Sequence, residues 1–236
     1  MKIDVAILPK DVNKMNLSNT VCIVLDIFRA TTSIVTSMAN GCKTIVPVLC
    51  IEDARTLANH IGPVLFAGER QSIRMDGCDF GNSPFEFSQD KVRNQTIIMT
   101  TTNGTVAIRA TEGAHRTLIG SFLNAKAVCQ QAKGYGKDIL IVCAGTDGLF
   151  SLEDTLCAGL LVQLLTEEEM EQSDSARGAL LMYNQAKDKL IETAVDSRNG
   201  KRLYDMNRMY DIVYCFQIDT LNIVPEYREG KILLAK

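Results

Sequence analysis

Asp26 stands directly after an unbroken apolar run, residues 21–25, with Arg29, Thr31 and Thr32 close behind it. Similar chemistry follows other apolar runs. Gly68-Glu69-Arg70 follows 64–67, and Thr100-Thr101-Thr102-Asn103-Gly104 follows 97–99. Ala144-Gly145-Thr146-Asp147-Gly148 follows 139–143, and Ser151-Leu152-Glu153-Asp154 comes next. Carboxylates, arginines, small hydroxyls and glycines together suit a hard divalent cation beside an anionic substrate. Asp26, Glu69, Glu153 and Asp154 could hold Mg²⁺, which prefers oxygen ligands and keeps several waters. Arg29 and Arg70 could clamp phosphate through bidentate, charge-assisted bonds. The 100–104 loop opens a helix, so free backbone N–H groups can face an anion, and Gly104 lets that backbone come close.

Each piece also has a plainer reading. Ser151 and Asp154 fit a helix capping box, and Asp26 could pair with Arg29. Asn103-Gly104 could be a turn, and Asn82-Ser83-Pro84 a helix start. Other chemistries lack their motifs. There is no phosphate-binding G-x-x-x-x-G-K-[ST], no G-x-G-x-x-G and no G-x-S-x-G elbow. The cysteine-phosphatase loop and the paired aspartates of the haloacid-dehalogenase phosphatases are missing as well. The histidines, His60 and His115, are both remote from strand ends, which disfavours a histidine base.

The elements that must position these residues alternate in type. Strands are predicted at 3–8, 21–25, 44–48, 64–67, 96–100, 116–119 and 139–143. Helices are predicted at 30–39, 52–60, 105–111, 125–132 and 151–165. Segment 68–84 reads as a loop. This order gives an α/β fold, three layers with largely parallel, mixed sheets. The order strand, polar loop, helix, strand, helix, strand begins twice, which suggests two similar βα repeats at 1–95 and 96–165; ordinary βα repetition is the alternative. Residues 166–236 then pack on the repeats. Within them, 175–195 reads as one helix with Leu180, Leu181, Tyr183 and Leu190 in the core. Segment 211–218 reads as a strand, Val224-Pro225 as a turn, and the acidic run 167–169 as a solvated helix face.

Composition narrows the class. The 236 residues are 46% hydrophobic and 22% charged, which suits a globular chain rather than a disordered one. A net charge of −3 disfavours nucleic-acid binding, so an anion must be held by a local cluster. The eight cysteines include no C-x-x-C, which disfavours a zinc site and suggests reduced, buried thiols in a cytoplasmic protein. No signal peptide or membrane span is expected.

At these motifs the chain resembles the 2-phosphosulfolactate phosphatase family of coenzyme M biosynthesis. The resembling stretches are VLDIFRATTSIVTSMANG at 24–41, AGER at 67–70 and DFGNSPFEF at 79–87. They continue with TTTNGTVAI at 100–108, GSFLNAKAV at 120–128 and CAGTDGLFSLEDTLCAG at 143–159. A weaker match covers 211–215 and Val224-Pro225. The resemblance implies a Mg²⁺-dependent phosphatase that converts 2-phospho-3-sulfolactate to 3-sulfolactate and phosphate. Its matching positions here are Asp26, Arg29, Glu69, Arg70, Asn82, Asn103, Glu153 and Asp154. In our assignment Asp26 and Glu69 bind the metal, with Glu153 or Asp154 completing the site. Arg29 and Arg70 balance phosphoryl charge. Asn103, Asn82, Thr101, Thr102, Gly104 and Gly145 hold the substrate's other oxygens. Either a water on the metal or Asp26 itself attacks phosphorus. Gln71-Ser72 and Asn207 stand where glycines are expected, which leaves a different phosphorylated hydroxy acid open as substrate. A non-catalytic anion binder of the same fold is the remaining rival. A homo-oligomer is expected, with no interface legible in the sequence.

Overall fold

The computed structural model describes residues 1–12, 15–166 and 170–235. The acidic run 167–169 lies outside the described residues. The chain begins with β1 (Lys2–Ala6) and a 3₁₀ turn at Pro9–Asp11. It continues through β2 (Thr20–Leu25), α1 (Ala30–Ala39), β3 (Thr44–Pro47), α2 (Ile51–Ile61) and β4 (Leu65–Arg70). The short β5 (Ile73–Arg74) and α3 (Gln89–Val92) follow. The same order then returns in β6 (Thr96–Thr100), α4 (Gly104–Ala110), β7 (Arg116–Gly120), α5 (Ala125–Gly134) and β8 (Asp138–Cys143). The remainder forms α6 (Leu152–Leu165), β9 (Glu171–Gln172), α7 (Asp174–Ala186), α8 (Leu190–Val195), α9 (Arg198–Asp205), α10 (Met209–Cys215), β10 (Pro225–Arg228) and β11 (Lys231–Leu234).

The described strands form one sheet in the order β5-β4-β6-β3-β11-β10-β7-β2-β8-β1-β9. The segments before and after residue 95 interleave in it. β6 lies between β4 and β3, and β2 lies between β8 and β7, so each segment places one strand between two strands of the other. Both blocks are parallel inside. The β10–β11 hairpin joins them through antiparallel pairings with β7 and β3.

Burial on both faces explains the unbroken apolar runs. Val21, Ile23 and Leu25 of β2 face one core, with α5, α6 and α7, while Cys22 and Val24 face the other, with α1 and α4. A smaller cluster places Ala54 of α2 against Val46 and Ile98. α6 is apolar almost all round because it is enclosed; Leu156, Leu160, Leu161 and Leu165 are all buried. Each such side chain contributes roughly 1.5–3 kcal/mol. All eight cysteines are free, and all but Cys50 are buried. Among the described residues no helix is long and apolar enough to cross a membrane.

Four local expectations are corrected. Segment 211–218 opens in a helix, α10, because Ile212, Cys215 and Phe216 are buried at helical rather than alternating spacing. The helix expected over 175–195 breaks into α7, a 3₁₀ turn at Lys187–Lys189, and α8. Tyr183 and Leu190 are buried in the core and Leu180 packs on it, whereas Leu181 is 70% exposed. Pro225 begins a strand rather than a turn, so the sheet-bridging hairpin was missed. The loop expected over 68–84 contains the end of β4 and a tight hairpin into β5.

Candidate active site

α1 and α4 share one core, and their first turns touch. A methyl group on Gly104 would lie 2.5 Å from Cβ of Ala30 and 2.7 Å from Oδ2 of Asp26, so only glycine fits there. This junction sets the carboxylate of Asp26. The Ala30 N–H donates to its Oδ1 at 3.2 Å, and the Asp26 backbone is tied to Thr31. The Thr101 hydroxyl, in the loop before α4, accepts from the Thr105 N–H in the first turn of that helix.

The other acids have distinct surroundings. Glu69 at the end of β4 accepts from the Ser72 N–H and the Thr102 N–H, both at 2.8 Å. Its two oxygens thereby pin the β4–β5 turn to the loop before α4. Asp154 accepts from the Ile27 N–H at 2.8 Å and the Gly145 N–H at 3.1 Å. It joins the ends of β2 and β8. The capping-box reading holds only in part. Ser151 accepts from the Asp154 N–H, but the Asp154 side chain reaches across to these loops instead of back to its own cap. Glu153 is buried among Ser151, Ser197 and Asn199.

Burial dominates the electrostatics. It pushes the Asp26 carboxyl up to about 7, with repulsion from Glu69 and Glu153 adding to the rise. The Ala30 N–H and the Arg29 guanidinium pull the other way. Glu153 is raised by burial against its hydroxyl and amide neighbours. Burial, then the charges of Asp26 and Glu153, raises Asp154 far above the usual carboxylate range.

The two arginines differ. Arg29 is buried and ion-paired with Asp211, not with Asp26, and also donates to the Ser72 carbonyl at 3.2 Å. Asp211 accepts from the Ser83 hydroxyl at 2.6 Å as well. Arg70 is half-buried and donates to the Glu69 carbonyl at 2.7 Å and the Thr100 hydroxyl at 3.1 Å. Among the described residues no carboxylate pairs with Arg70.

Asp26, Glu69, Thr102, Gly104, Glu153, Asp154 and Gly145 are therefore linked by direct contact or mutual charge. Asn103 sits at their margin, its Oδ1 accepting from the Asp147 N–H at 3.1 Å. Asn82 lies on the Arg29 side; the Ser33 hydroxyl donates to its carbonyl, and its Oδ1 is buried without a partner. The hydroxyl of Thr102 is also buried and unpartnered. The Gly145 N–H, expected to face substrate, is taken up by Asp154. Among the described residues no group of three or more His, Cys, Asp or Glu side chains is gathered as a ready metal cage.

Sequence reasoning passed over Asp211, Ser197 and Asn199. The signal that marks Asp26 is an acid directly after a long apolar run, and Asp211 instead stands before its apolar residues, Ile212-Val213. Ser197 caps a short polar helix and Asn199 lies on it, and neither gave a signal.

The departures at 71–72 and 207 have a structural reason. Gln71, Ser72 and Asn207 all adopt positive φ, at 52°, 66° and 56°. Gln71-Ser72 is the two-residue turn between β4 and β5, where both central residues need left-handed backbone.

Comparison with known proteins gives one consistent result. A sequence model of the family described as 2-phosphosulpholactate phosphatase matches residues 6–230. The chain is 38% identical to a probable 2-phosphosulfolactate phosphatase from Clostridium acetobutylicum, covering 99% of this chain and 100% of that protein. It is 37% identical to one from Clostridium novyi, over 98% and 99% of the two chains. It is also 37% identical to one from Symbiobacterium thermophilum, over 92% and 95%. With a match that spans nearly its whole length, the chain belongs to the 2-phosphosulfolactate phosphatase family.

Proposed function

We propose that the protein hydrolyses the phosphate ester of 2-phospho-3-sulfolactate, giving 3-sulfolactate and inorganic phosphate, with Mg²⁺ as cofactor. The observation that carries this reading is the placement of Asp26. Its carboxylate is buried at the junction of two helix starts, one oxygen held by a backbone N–H and the other against Gly104. The names of the relatives supply the substrate, and the resemblance supplies the link to coenzyme M.

The donor set fits a hard cation held by few protein ligands. Asp26 and Glu153 are buried, mutually repelling carboxylates, and the nearby Arg29 is already neutralised by Asp211. Mg²⁺ commonly takes one or two carboxylates and completes its shell with water and substrate phosphate. Asp26 and Glu153 would therefore hold it. Glu69 and Asp154, whose oxygens accept backbone N–H groups, brace the loops around it. When bound, the ion supplies positive charge for the phosphoryl oxygens.

The chain's own groups do the rest. Arg70, free of any carboxylate partner among the described residues, is placed to balance phosphoryl charge. Arg29 acts at longer range, lowering the cost of ionising Asp26. The ester P–O bond breaks, a new P–O bond forms to the attacking oxygen, and the alkoxide leaving group takes a proton. If Asp26 itself attacks, water cleaves the acyl phosphate in a second step and restores the carboxylate. Hydroxylamine trapping in a single turnover separates the routes; an Asp26 hydroxamate marks covalent attack. The reading itself is tested by phosphate release from a panel of phosphorylated 2-hydroxy acids. Turnover fastest with 2-phosphosulfolactate supports it. Silence across the panel in the folded protein favours an anion-binding role instead.

A further inference from the structure

We propose that Lys10 selects the substrate's acid arm, the anionic group on the carbon away from the phosphate ester. The inference rests on the phosphatase reading above and adds a residue to it. A cavity of about 230 Å³ lies between the turn after β1, the start of α4 and the loop after β8. Leu8, Pro9 and Val106 give it apolar walls, and Thr102 and Asn103 line its inner side. Those two residues connect it to the site. The Thr102 N–H donates to Glu69, and the residue after Asn103 is the glycine packed against Asp26.

Of the described residues lining this cavity, Lys10 is the one that is charged. Among the described residues it has no hydrogen-bond or ion-pair partner. Its backbone is set by Pro9 at the start of the 3₁₀ turn. The adjacent carboxylate of Asp11 accepts from the Leu8 N–H at 3.1 Å. A lysine on such a base carries a mobile point charge that can reach an anion in the cavity.

Among the described cations around the site, Lys10 is the one that lines this cavity; Arg198 donates to the Thr146 carbonyl in the loop after β8. A phosphorylated hydroxy acid with a further strong acid group brings more negative charge than the phosphate subsite can match. Arg29 is sealed by Asp211, and Arg70 is turned toward Glu69 and Thr100. A sulfonate or carboxylate arm extending past Thr102 and Asn103 enters a small, mostly apolar cavity whose only cation among the described residues is Lys10. Neutral arms gain nothing from that charge.

The test compares 2-phosphosulfolactate with 2-phospholactate, which keeps the phosphate and carboxylate and lacks the sulfonate. Phosphate release is followed for wild type, Lys10→Ala and Lys10→Arg. Lys10→Ala should raise KM for 2-phosphosulfolactate on the order of tenfold, the worth of one charge-assisted contact, with kcat within about twofold. Its KM for 2-phospholactate should not move, and Lys10→Arg should restore most of the loss. Equal changes on both substrates mean general steering by surface charge and overturn the proposal, as does no change on either. A wild type that turns over neither substrate refutes the phosphatase reading itself, so the two failures are told apart. Lys10 is exposed, and thermal unfolding of the variants should match wild type.

Discussion

Asp211 shows how one side chain can organise another across the chain. It is fully buried, pairs with Arg29, accepts from Ser83 and lies 3.8 Å from Arg208. Replacing it by asparagine keeps an acceptor for Ser83 but leaves the Arg29 charge buried and unpaired. Breaking such a pair costs about 3–5 kcal/mol. We expect Asp211→Asn to lose that much in urea unfolding, and a loss below about 1 kcal/mol would refute the role given to the pair. The turn at Gln71-Ser72 offers the opposite case. Non-glycine residues in left-handed backbone each cost about 1–2 kcal/mol. The double change Gln71→Asn, Ser72→Gly should therefore stabilise the protein by about 1 kcal/mol, and an unchanged midpoint would show the turn to be unstrained. Asp26, Glu69 and Arg70 were legible because each lies within three residues after an apolar run. The partner of Arg29 was not, since pairing across 182 residues leaves no local pattern.

Helices and strands were read best where both faces are buried. The runs at 21–25 and 139–143 are apolar throughout because β2 and β8 are covered on both sides, and length alone then separates strand from helix. Short elements were read poorly. α10 has seven residues, too few for its period to stand out against an alternating pattern. The β10–β11 hairpin was hidden because Val224-Pro225 looked like a turn, although proline tolerates the first position of a strand. The two segments also exchange a strand each: β6 fits between β3 and β4, and β2 between β7 and β8. A fragment of residues 1–95 keeps β3 and β4 without the strand between them. We predict that it shows no cooperative unfolding transition by circular dichroism. A sharp transition from the isolated fragment would mean that the first segment is an independent domain.

The whole molecule places an acidic centre inside a protein of net charge −3, so the site must be stabilised locally. Asp26 is raised to about 7 from an ordinary 3.8. A raised carboxyl favours the fold while both states are protonated. That contribution is present below about 3.8 and is lost as pH climbs through about 7, where the folded protein must ionise the buried group. In EDTA, Asp26→Asn should therefore unfold at higher temperature than wild type at pH 8, with the gain absent at pH 4. An equal or lower midpoint at pH 8 would show that the carboxylate is not under electrostatic strain. Adding Mg²⁺ should narrow the difference by stabilising wild type alone, since a ligand that binds only the folded state raises its midpoint. In the proposed reaction Asp26 at the α1–α4 junction holds the metal on which phosphate release depends. The most direct test is phosphate release from 2-phosphosulfolactate by wild type and Asp26→Asn, each with Mg²⁺ and with EDTA. We expect turnover only for wild type with Mg²⁺, and a loss of at least about a thousandfold in Asp26→Asn, the scale of removing a group that acts on the reacting centre. Comparable turnover by the variant, or undiminished release in EDTA, would contradict it.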